Sequence, residues 1–533
     1  MDVTECNKQQ AGRLSNYRRD RRDRQVFVSR EGLRPRGPCA DIIHGNIGQG
    51  QAVDDGVVVP PTGAREPLTV QIGVRSGSGR YSCRFVCICG SMRPPKHSYR
   101  NFARASVDCR PLAMKILRHD QSDFVVALDS ALAVNSLFNP QIEDRVRAVI
   151  RAVATRGDAA VLELTEQFDK VKLTVADLRI TPPRTTATVG LRQAIAVANR
   201  NIAEFSKRGL PKPWTRRNAQ GARVGEKFDP IRRVGVYIPG GTAPLASTAL
   251  MTITLAKVAG CKEIVACTPS TNPDLLYAIG VAGATEVYRV GGAQAIAAMA
   301  LGTATIRPVL KVFGPGNAYV TAAKKLLFGQ VAVDLLAGPS ELLVVADDTA
   351  DARLVAADML AQAEHGSGEE RVWLVTTSRR VLAELPAEID RQQAQLPRSA
   401  LTERALAKGA VCILAKNLVQ AVAIANRFAP EHLEVLTKNP AKVALQLTTA
   451  GAIFLGPWSP TVVGDYIAGP SHTLPTGGAG AAVAGLTVDQ FMRRTSLIEY
   501  TPAALRKSLP TLQAFAAVEG LAAHGASAQI RWP

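Results

Sequence analysis

Four of the seven histidines in this chain, His365, His432, His472 and His524, stand close to carboxylate or amide side chains. The segments are Gln362-Ala-Glu-His365, Pro430-Glu-His432, Gly464-Asp465 followed by Ser471-His472, and Glu519-Gly-Leu-Ala-Ala-His524. Imidazole is the commonest metal ligand and the usual acid or base near neutral pH, so this combination points to a metal, to proton transfer, or to both. Glu431, His432, Asp465 and His472 fall in segments broken by Pro430, Gly464, Gly469, Pro470 and Pro475. Such punctuation marks the loops on which reacting side chains are displayed. Gln362 and His365 are three apart, one helical turn, and can face one metal ion. A histidine at a helix end is nonetheless more often a cap or a surface residue.

The elements that must position these residues alternate. After Asn139, apolar residues at Ile142, Val146, Val149, Ile150 and Val153 recur in steps of three and four, and Gly157 is placed to end that helix. Segments 158–168 and 190–205 read as further helices. From Arg232 onward the spacing predicts strands over 234–238, 263–267, 286–290 and 309–313, with helices over 244–258, 274–279 and 293–301 and one following Asn317. Strands and helices alternating at this interval imply a doubly wound, mainly parallel sheet, which binds ligands beyond the carboxyl ends of its strands. The loops Pro239-Gly-Gly, Gly291-Gly-Ala-Gln294 and Gly314-Pro-Gly-Asn317 lie at such ends. They either bring backbone N–H groups to a phosphate or simply make tight turns, since none matches G-x-G-x-x-G. A second α/β unit opens at Ala337-Gly-Pro-Ser-Glu341, with strands over 342–346, 371–376 and 409–414. Its first helix, capped by Asp348 or Thr349, is expected to run to His365. Segments 488–494 and 502–517 read as closing helices.

Composition excludes several classes. The chain has 533 residues, 47% hydrophobic and 20% charged, as in an ordinary globular protein. Its net charge of +19 is unevenly spread: residues 1–113 hold 19 Lys+Arg against 10 Asp+Glu, and the rest hold 45 against 35. No aromatic-interleaved basic stripe or zinc-finger spacing accompanies the charge, so no nucleic-acid partner is expected. Residues 1–113 are Arg-rich and aperiodic. They are expected to be disordered, either as a basic interaction arm or, the favoured reading, as an extension ahead of a true start at Met114. Six of the nine cysteines lie in that segment; Cys261, Cys267 and Cys412, scattered through the body, look like reduced thiols of a cytoplasmic protein. A long stretch free of Asp, Glu, Lys and Arg, 466–488, is rich in Gly and interrupted by Pro470 and Pro475, and no membrane span is expected. A zinc hydrolase with Glu431 as its base is disfavoured, since H-E-x-x-H is absent.

Taken together, Gly235-Val-Tyr-Ile-Pro-Gly-Gly241, Gly291-Gly-Ala-Gln294, Phe313-Gly-Pro-Gly-Asn317, Ala337-Gly-Pro-Ser-Glu341, Gln362-Ala-Glu-His365, Ala429-Pro-Glu-His-Leu433, Gly464-Asp-Tyr466, Gly469-Pro-Ser-His-Thr-Leu-Pro475, Arg493-Arg-Thr-Ser496 and Glu519-Gly-Leu-Ala-Ala-His524 resemble the histidinol dehydrogenase family. The resemblance covers residues 114–532 and leaves 1–113 without a counterpart. One departure is Gly366-Ser-Gly-Glu-Glu370, where many members carry a Gln near the end of the loop.

The resemblance implies two Rossmann-like α/β units with helical N- and C-terminal arms in an intertwined homodimer. The corresponding boundaries are 114–235 for the helical arm and the first part of the substrate and zinc domain, and 236–336 for the NAD-binding domain. Residues 337–486 would form the unit with zinc and catalytic residues, and 487–533 the arm completing the partner's site. The implied reaction is the NAD-linked, four-electron oxidation of L-histidinol to L-histidine through the aldehyde. One Zn²⁺ per subunit would be held by Gln362, His365, Asp465 and His524, and Glu431 and His432 would be catalytic. Tyr237, Gln294 and Asn317 would contact NAD. Ser340, His472 and Glu519 would contact substrate together with the zinc ligands and His432. The alternative is a zinc- and NAD-dependent relative acting on another small alcohol.

Overall fold

The computed structural model describes residues 114–133, 139–184, 188–240, 244–365 and 367–532, together with the backbone of three strands nearer the start. The chain divides into two compact units, Met1–Pro111 and Leu112–Pro533. In the first, Val26–Val28, Leu68–Ser76 and Gly79–Cys87 pair antiparallel in that order. The expectation of disorder over 1–113 otherwise falls on residues outside those described.

The second unit holds two wholly parallel sheets. Strand order in the first is Ala332–Val333, Lys311–Phe313, Arg233–Tyr237, Glu263–Cys267, Glu286–Tyr288. From the central strand the chain builds outward twice in one direction, then crosses to Lys311–Phe313 on the other side. The order therefore reverses between Arg233–Tyr237 and Lys311–Phe313, and a crevice opens beyond their carboxyl ends. Every residue of Arg233–Tyr237 is buried because helices cover both faces. Val265, Cys267 and Val312 pack against Pro140–Arg156, Asp158–Asp169, Gly292–Leu301 and Ala318–Leu327. Val234, Val236, Ile264 and Ala266 face Val189–Arg208, Ala246–Ala259 and Pro273–Ala282.

In the second sheet the order is Ala452–Leu455, His432–Leu436, Glu341–Ala346, Arg371–Thr376, Ala410–Leu414, Lys115–Arg118. Alternate residues go to opposite faces, as the pleat requires. Leu342, Val344 and Leu436 join the core under helix Ala352–Ala363, whereas Leu343, Val345, Leu433 and Val435 join that under Leu418–Phe428. His432 shares the parity of Leu436, so its side chain belongs to the face of helix Ala352–Ala363.

Two expectations are corrected. Segment 488–494 is not a helix: a single 3₁₀ turn, Val488–Phe491, gives way to strand Met492–Glu499. Phe491 is fully buried and stacks on Phe313 with centroids 3.8 Å apart, which anchors the turn and releases the chain to pair antiparallel with Arg223–Pro230. Val488 and Phe491, three apart and both buried, are held by that one turn. Helix Ala352–Ala363 is capped by Asp351, whose Oδ1 accepts from Arg353 N at 2.8 Å, and not by Asp348 or Thr349. It also stops short of His365. Among the described residues no helix is long and apolar enough to cross a membrane.

At the amino edge of the first sheet, three strands are tied together by charge. The buried Arg233 guanidinium donates to Glu263 at 2.8 Å and to Glu286 at 2.6 and 3.0 Å, and Arg307 reaches both carboxylates from outside at 2.6 and 3.1 Å. The Arg233 hydrogen bond is the main reason the Glu286 carboxyl is held down at about 2, against an ordinary 4.5. A depressed carboxyl stabilises the fold above its unfolded value and loses that contribution as pH falls through the folded one. Glu286→Gln is therefore expected to cost about 2 kcal/mol at pH 7, and the difference from wild type should shrink between pH 4.5 and about 2. Urea denaturation across that range checks it.

Candidate active site

Glu341 opens an otherwise apolar buried strand, and its main chain grips two neighbouring side chains. Its N–H donates to Glu431 Oε2 at 2.9 Å, and its carbonyl lies 3.1 Å from His432 Nδ1. A carbonyl only accepts, so Nδ1 carries the ring proton and Nε2 is left with a lone pair. That Nε2 faces Asp465 Oδ1 at 3.8 Å, beyond hydrogen-bond reach. The same device recurs twice. His365 Nδ1 lies 3.0 Å from Gln362 O, and His472 Nδ1 lies 3.2 Å from the Asp465 carbonyl. His472 Nε2 then accepts from the Thr248 hydroxyl at 3.3 Å.

Burial sets the proton affinities. His432 is 3% exposed, and desolvation pulls its imidazole down to about 4, with the carboxylate of Asp465 opposing and His365 and His472 assisting. It is thus neutral at pH 7, the form that accepts a proton. His472 is lowered for the same first reason. Glu431, 6% exposed, is pushed well above the carboxylate range by desolvation and by the Glu341 and Asp465 charges, although the Glu341 N–H and the Ser340 hydroxyl oppose this. Glu341 is raised by burial too, with Arg371 at 3.1 Å as the counterweight.

Most of the expected residues come together here: Ser340, Glu431, His432, Asp465 and His472 in one cluster, and Gln362 with its side-chain amide 3.0 Å from His365 Nδ1. His365 is near enough to act electrostatically on both other imidazoles. Glu370, where the loop departs from the family pattern, is buried and accepts from Ser367 N at 2.6 Å and Gly368 N at 2.8 Å, which ties down the loop beside His365. Glu519 and His524 do not join the cluster within one chain. Both are exposed on the C-terminal arm, where their amides bond only to Phe515 and Leu521. In consequence, no group of three or more His, Cys, Asp and Glu close enough to hold a metal is found among the described residues.

The other three expected residues line the crevice of the first sheet. Tyr237, 4% exposed, accepts from Gly292 N through its hydroxyl at 3.2 Å. Gln294 Nε2 is buried without a partner. Asn317 caps helix Ala318–Leu327, accepting from Tyr319 N and Val320 N at 3.1 Å each.

Sequence reasoning assigned no role to Glu341, Thr248 or the pair Asp358 and Glu434. A glutamate heading a strand that reads Leu-Leu-Val-Val-Ala was a usable signal for Glu341; nothing local marks Thr248. Glu434 lies two residues beyond His432 on the same face, and alternation alone could have flagged it.

A neutral buried imidazole beside two carboxyls, set on a parallel α/β sheet, has the chemistry of a proton-transfer site. The profile of the histidinol dehydrogenase family matches residues 134–532. The chain is 44% identical over 399 residues to histidinol dehydrogenase of Synechococcus sp., covering 73% of this chain and 92% of that protein. It is 41% identical to that of Bradyrhizobium diazoefficiens, covering 78% and 98%. The crystal structure of histidinol dehydrogenase from Elizabethkingia anophelis superposes with a TM-score of 0.74 at 35% identity, covering 78% of this chain and 98% of that one. The chain belongs to the histidinol dehydrogenase family of oxidoreductases.

The buried pair beneath the site offers a separate check. Glu434 is hydrogen-bonded to Asp358 of helix Ala352–Ala363, and burial, with the Asp358 charge, pushes it up to about 10. A carboxyl raised in this way must take up a proton on folding at neutral and higher pH, which costs stability progressively as pH rises. Glu434→Gln supplies an amide donor without that proton. Its stability relative to wild type is expected to be greater at pH 9 than at pH 5 by about 1 kcal/mol or more, as read from urea denaturation at the two pH values.

Proposed function

We propose that the chain oxidises L-histidinol to L-histidine, the closing step of histidine biosynthesis, in two successive NAD-linked oxidations through the aldehyde. The observation that carries the reading is the grip of the Glu341 main chain on Glu431 and His432. It leaves His432 Nε2 as a fixed, neutral acceptor beside a second proton-transfer group.

In the first half, His432 Nε2 takes the alcohol proton as the carbinol carbon gives up its hydride. In the second, Glu431 draws a proton from the water that hydrates the aldehyde, and His432 accepts again. Ser340, His472 and, from the arm of a second copy, Glu519 hold the polar ends of the substrate. Tyr237, Gln294 and Asn317 would hold NAD⁺, which would supply the hydride acceptor for each half. The unpartnered Gln294 amide is the kind of buried donor that a ligand satisfies.

The donor set suits a divalent metal. Glu431 and Asp465 stand beside neutral imidazoles at His432 and His472, and the Arg371 charge is engaged by Glu341, so a further positive charge would be well received. His365, with Nδ1 committed to a backbone carbonyl, has the arrangement typical of a ligating histidine. Gln362, His365 and Asp465, with His524 of a second copy, would hold Zn²⁺, which orients the substrate's imidazole and amino nitrogens. This reading takes 236–336 as the NAD-binding unit and 337–486 as the unit of metal and base, in a homodimer whose arms are exchanged. Three free, buried cysteines, Cys261, Cys267 and Cys412, support a cytoplasmic enzyme.

With the full chain and L-histidinol, two NADH are expected per substrate consumed, lost with a chelator and restored by zinc; one NADH per substrate would sink the four-electron reading. A second experiment reads the exchange of arms. His432→Asn and His524→Ala should each lose about 10²- to 10⁴-fold in kcat. Unfolded together and refolded, they should regain part of the activity, because mixed dimers contain one intact site. No recovery in dimers verified as mixed would place His524 in its own chain's site.

A further inference from the structure

The crevice of the first sheet rests on a buried ion pair with no place in the chemistry above. Lys324, on helix Ala318–Leu327, is 3% exposed in its side chain, and Asp334, just past strand Ala332–Val333, is fully buried. The two are in direct contact. Their remaining hydrogen bonds converge on one residue. Lys324 Nζ donates to the Gly314 carbonyl at 3.0 Å and to the Leu335 carbonyl at 2.8 Å, while Asp334 Oδ2 accepts from Gly314 N at 2.8 Å. Both peptide groups of Gly314 are therefore held from beneath by side chains of opposite charge.

Gly314 follows strand Lys311–Phe313 at the point where the strand order reverses. Its φ is +109°, and a Cβ there would stand 2.1 Å from the Tyr237 carbonyl oxygen, at the end of the neighbouring strand. Only glycine fits, and in that region its conformation is not self-imposed. The next residues, Pro315 to Asn317, carry the loop into helix Ala318–Leu327. The amides of Gly316 and Asn317 find no acceptor among the described residues. They open a helix of ten residues, the ordinary place for a phosphate to be received.

We propose that Lys324 and Asp334 are positioning residues for the dinucleotide: by clamping both peptide groups of Gly314, they aim the Gly316 and Asn317 amides at the crevice beside Tyr237. The inference rests on the reading that NAD occupies this crevice. The pair touches no ligand. Its role is exerted through the loop, so it governs affinity for the dinucleotide and leaves proton transfer at His432, in the other sheet, unaltered.

The test uses the full chain and variants of the pair. Lys324→Met with Asp334→Asn removes both charges together, so no lone buried charge remains to unfold the protein. Asp334→Asn alone keeps an acceptor for Gly314 N–H and for Lys324. NADH binding is followed by fluorescence titration, and KM for NAD⁺, KM for L-histidinol and kcat are measured at saturation. In the double variant, Kd for NADH and KM for NAD⁺ should rise about tenfold or more, since hydrogen bonds to charged groups are at stake. KM for L-histidinol and kcat should stay within about twofold, the signature of lost binding without lost catalysis. Asp334→Asn should fall between. A double variant with wild-type affinity for NADH, or one in which both KM values rise together, overturns the proposal. If the double variant melts without a cooperative transition, Lys324→Gln with Asp334→Asn, which also leaves no lone charge, decides: unchanged NADH affinity there overturns it as well. Wild-type protein that oxidises L-histidinol but does not bind NADH overturns the NAD reading itself, and the proposal with it.

Discussion

The arrangement proposed for catalysis depends on one peptide residue. Glu341 contributes an N–H to Glu431 and a carbonyl to His432, so two side chains from another strand are oriented by backbone that cannot rotate. Backbone of this kind is held by the sheet: Leu342 stands opposite His432 in the parallel register, and the pairing continues to Ala346 and Leu436. Slipping that register by one residue would turn His432 to the other face, away from helix Ala352–Ala363 and from Gln362. Sheet pairing, tautomer and proton affinity are in this sense a single constraint.

Two edges of two sheets are used in opposite ways. The first sheet offers its carboxyl edge, where Tyr237, Gln294 and Asn317 surround the reversal of strand order. The second offers its amino edge, where Glu341 and His432 begin their strands and where helix Ala352–Ala363, running back, ends at Ala363 just short of His365. Asp465 and His472 reach the second edge from helix Thr461–Tyr466 and the loop after it. In both places a residue is held by its main chain. At Gly314 charged side chains hold a peptide, and at Glu341 a peptide holds charged side chains.

Much of this was legible in the residue pattern. Runs apolar except at their ends, such as 263–267 and 371–376, became strands with the expected bounds, because the middle of a strand covered on both faces must be apolar. Strand Met492–Glu499 was misread because it is exposed on both faces, so no core dictated an alternation. Edge strand Lys115–Arg118 is four residues long and buries only Leu117, too little to show a period. Motifs located Glu431 and His432 but could not reveal that the Glu341 main chain unites them, since any residue type supplies an N–H and a carbonyl. Likewise Lys324 reads as one more polar position on a helix. Its burial follows from a loop ten residues earlier in sequence, which only the fold brings underneath.

The second sheet gathers the residues proposed for chemistry at its amino edge, which frees its carboxyl edge. There the connections carry exposed residues, among them Asp348, Thr349, Lys416, Asn417, Lys438 and Asn439, none of which reaches the cluster around His432. In most open α/β sheets that edge is the crowded one and tolerates little change. Here it is the natural place to open the chain or lengthen it: a fusion partner or new termini inserted at 348–349 or 438–439 would lie a full strand length from the catalytic pair.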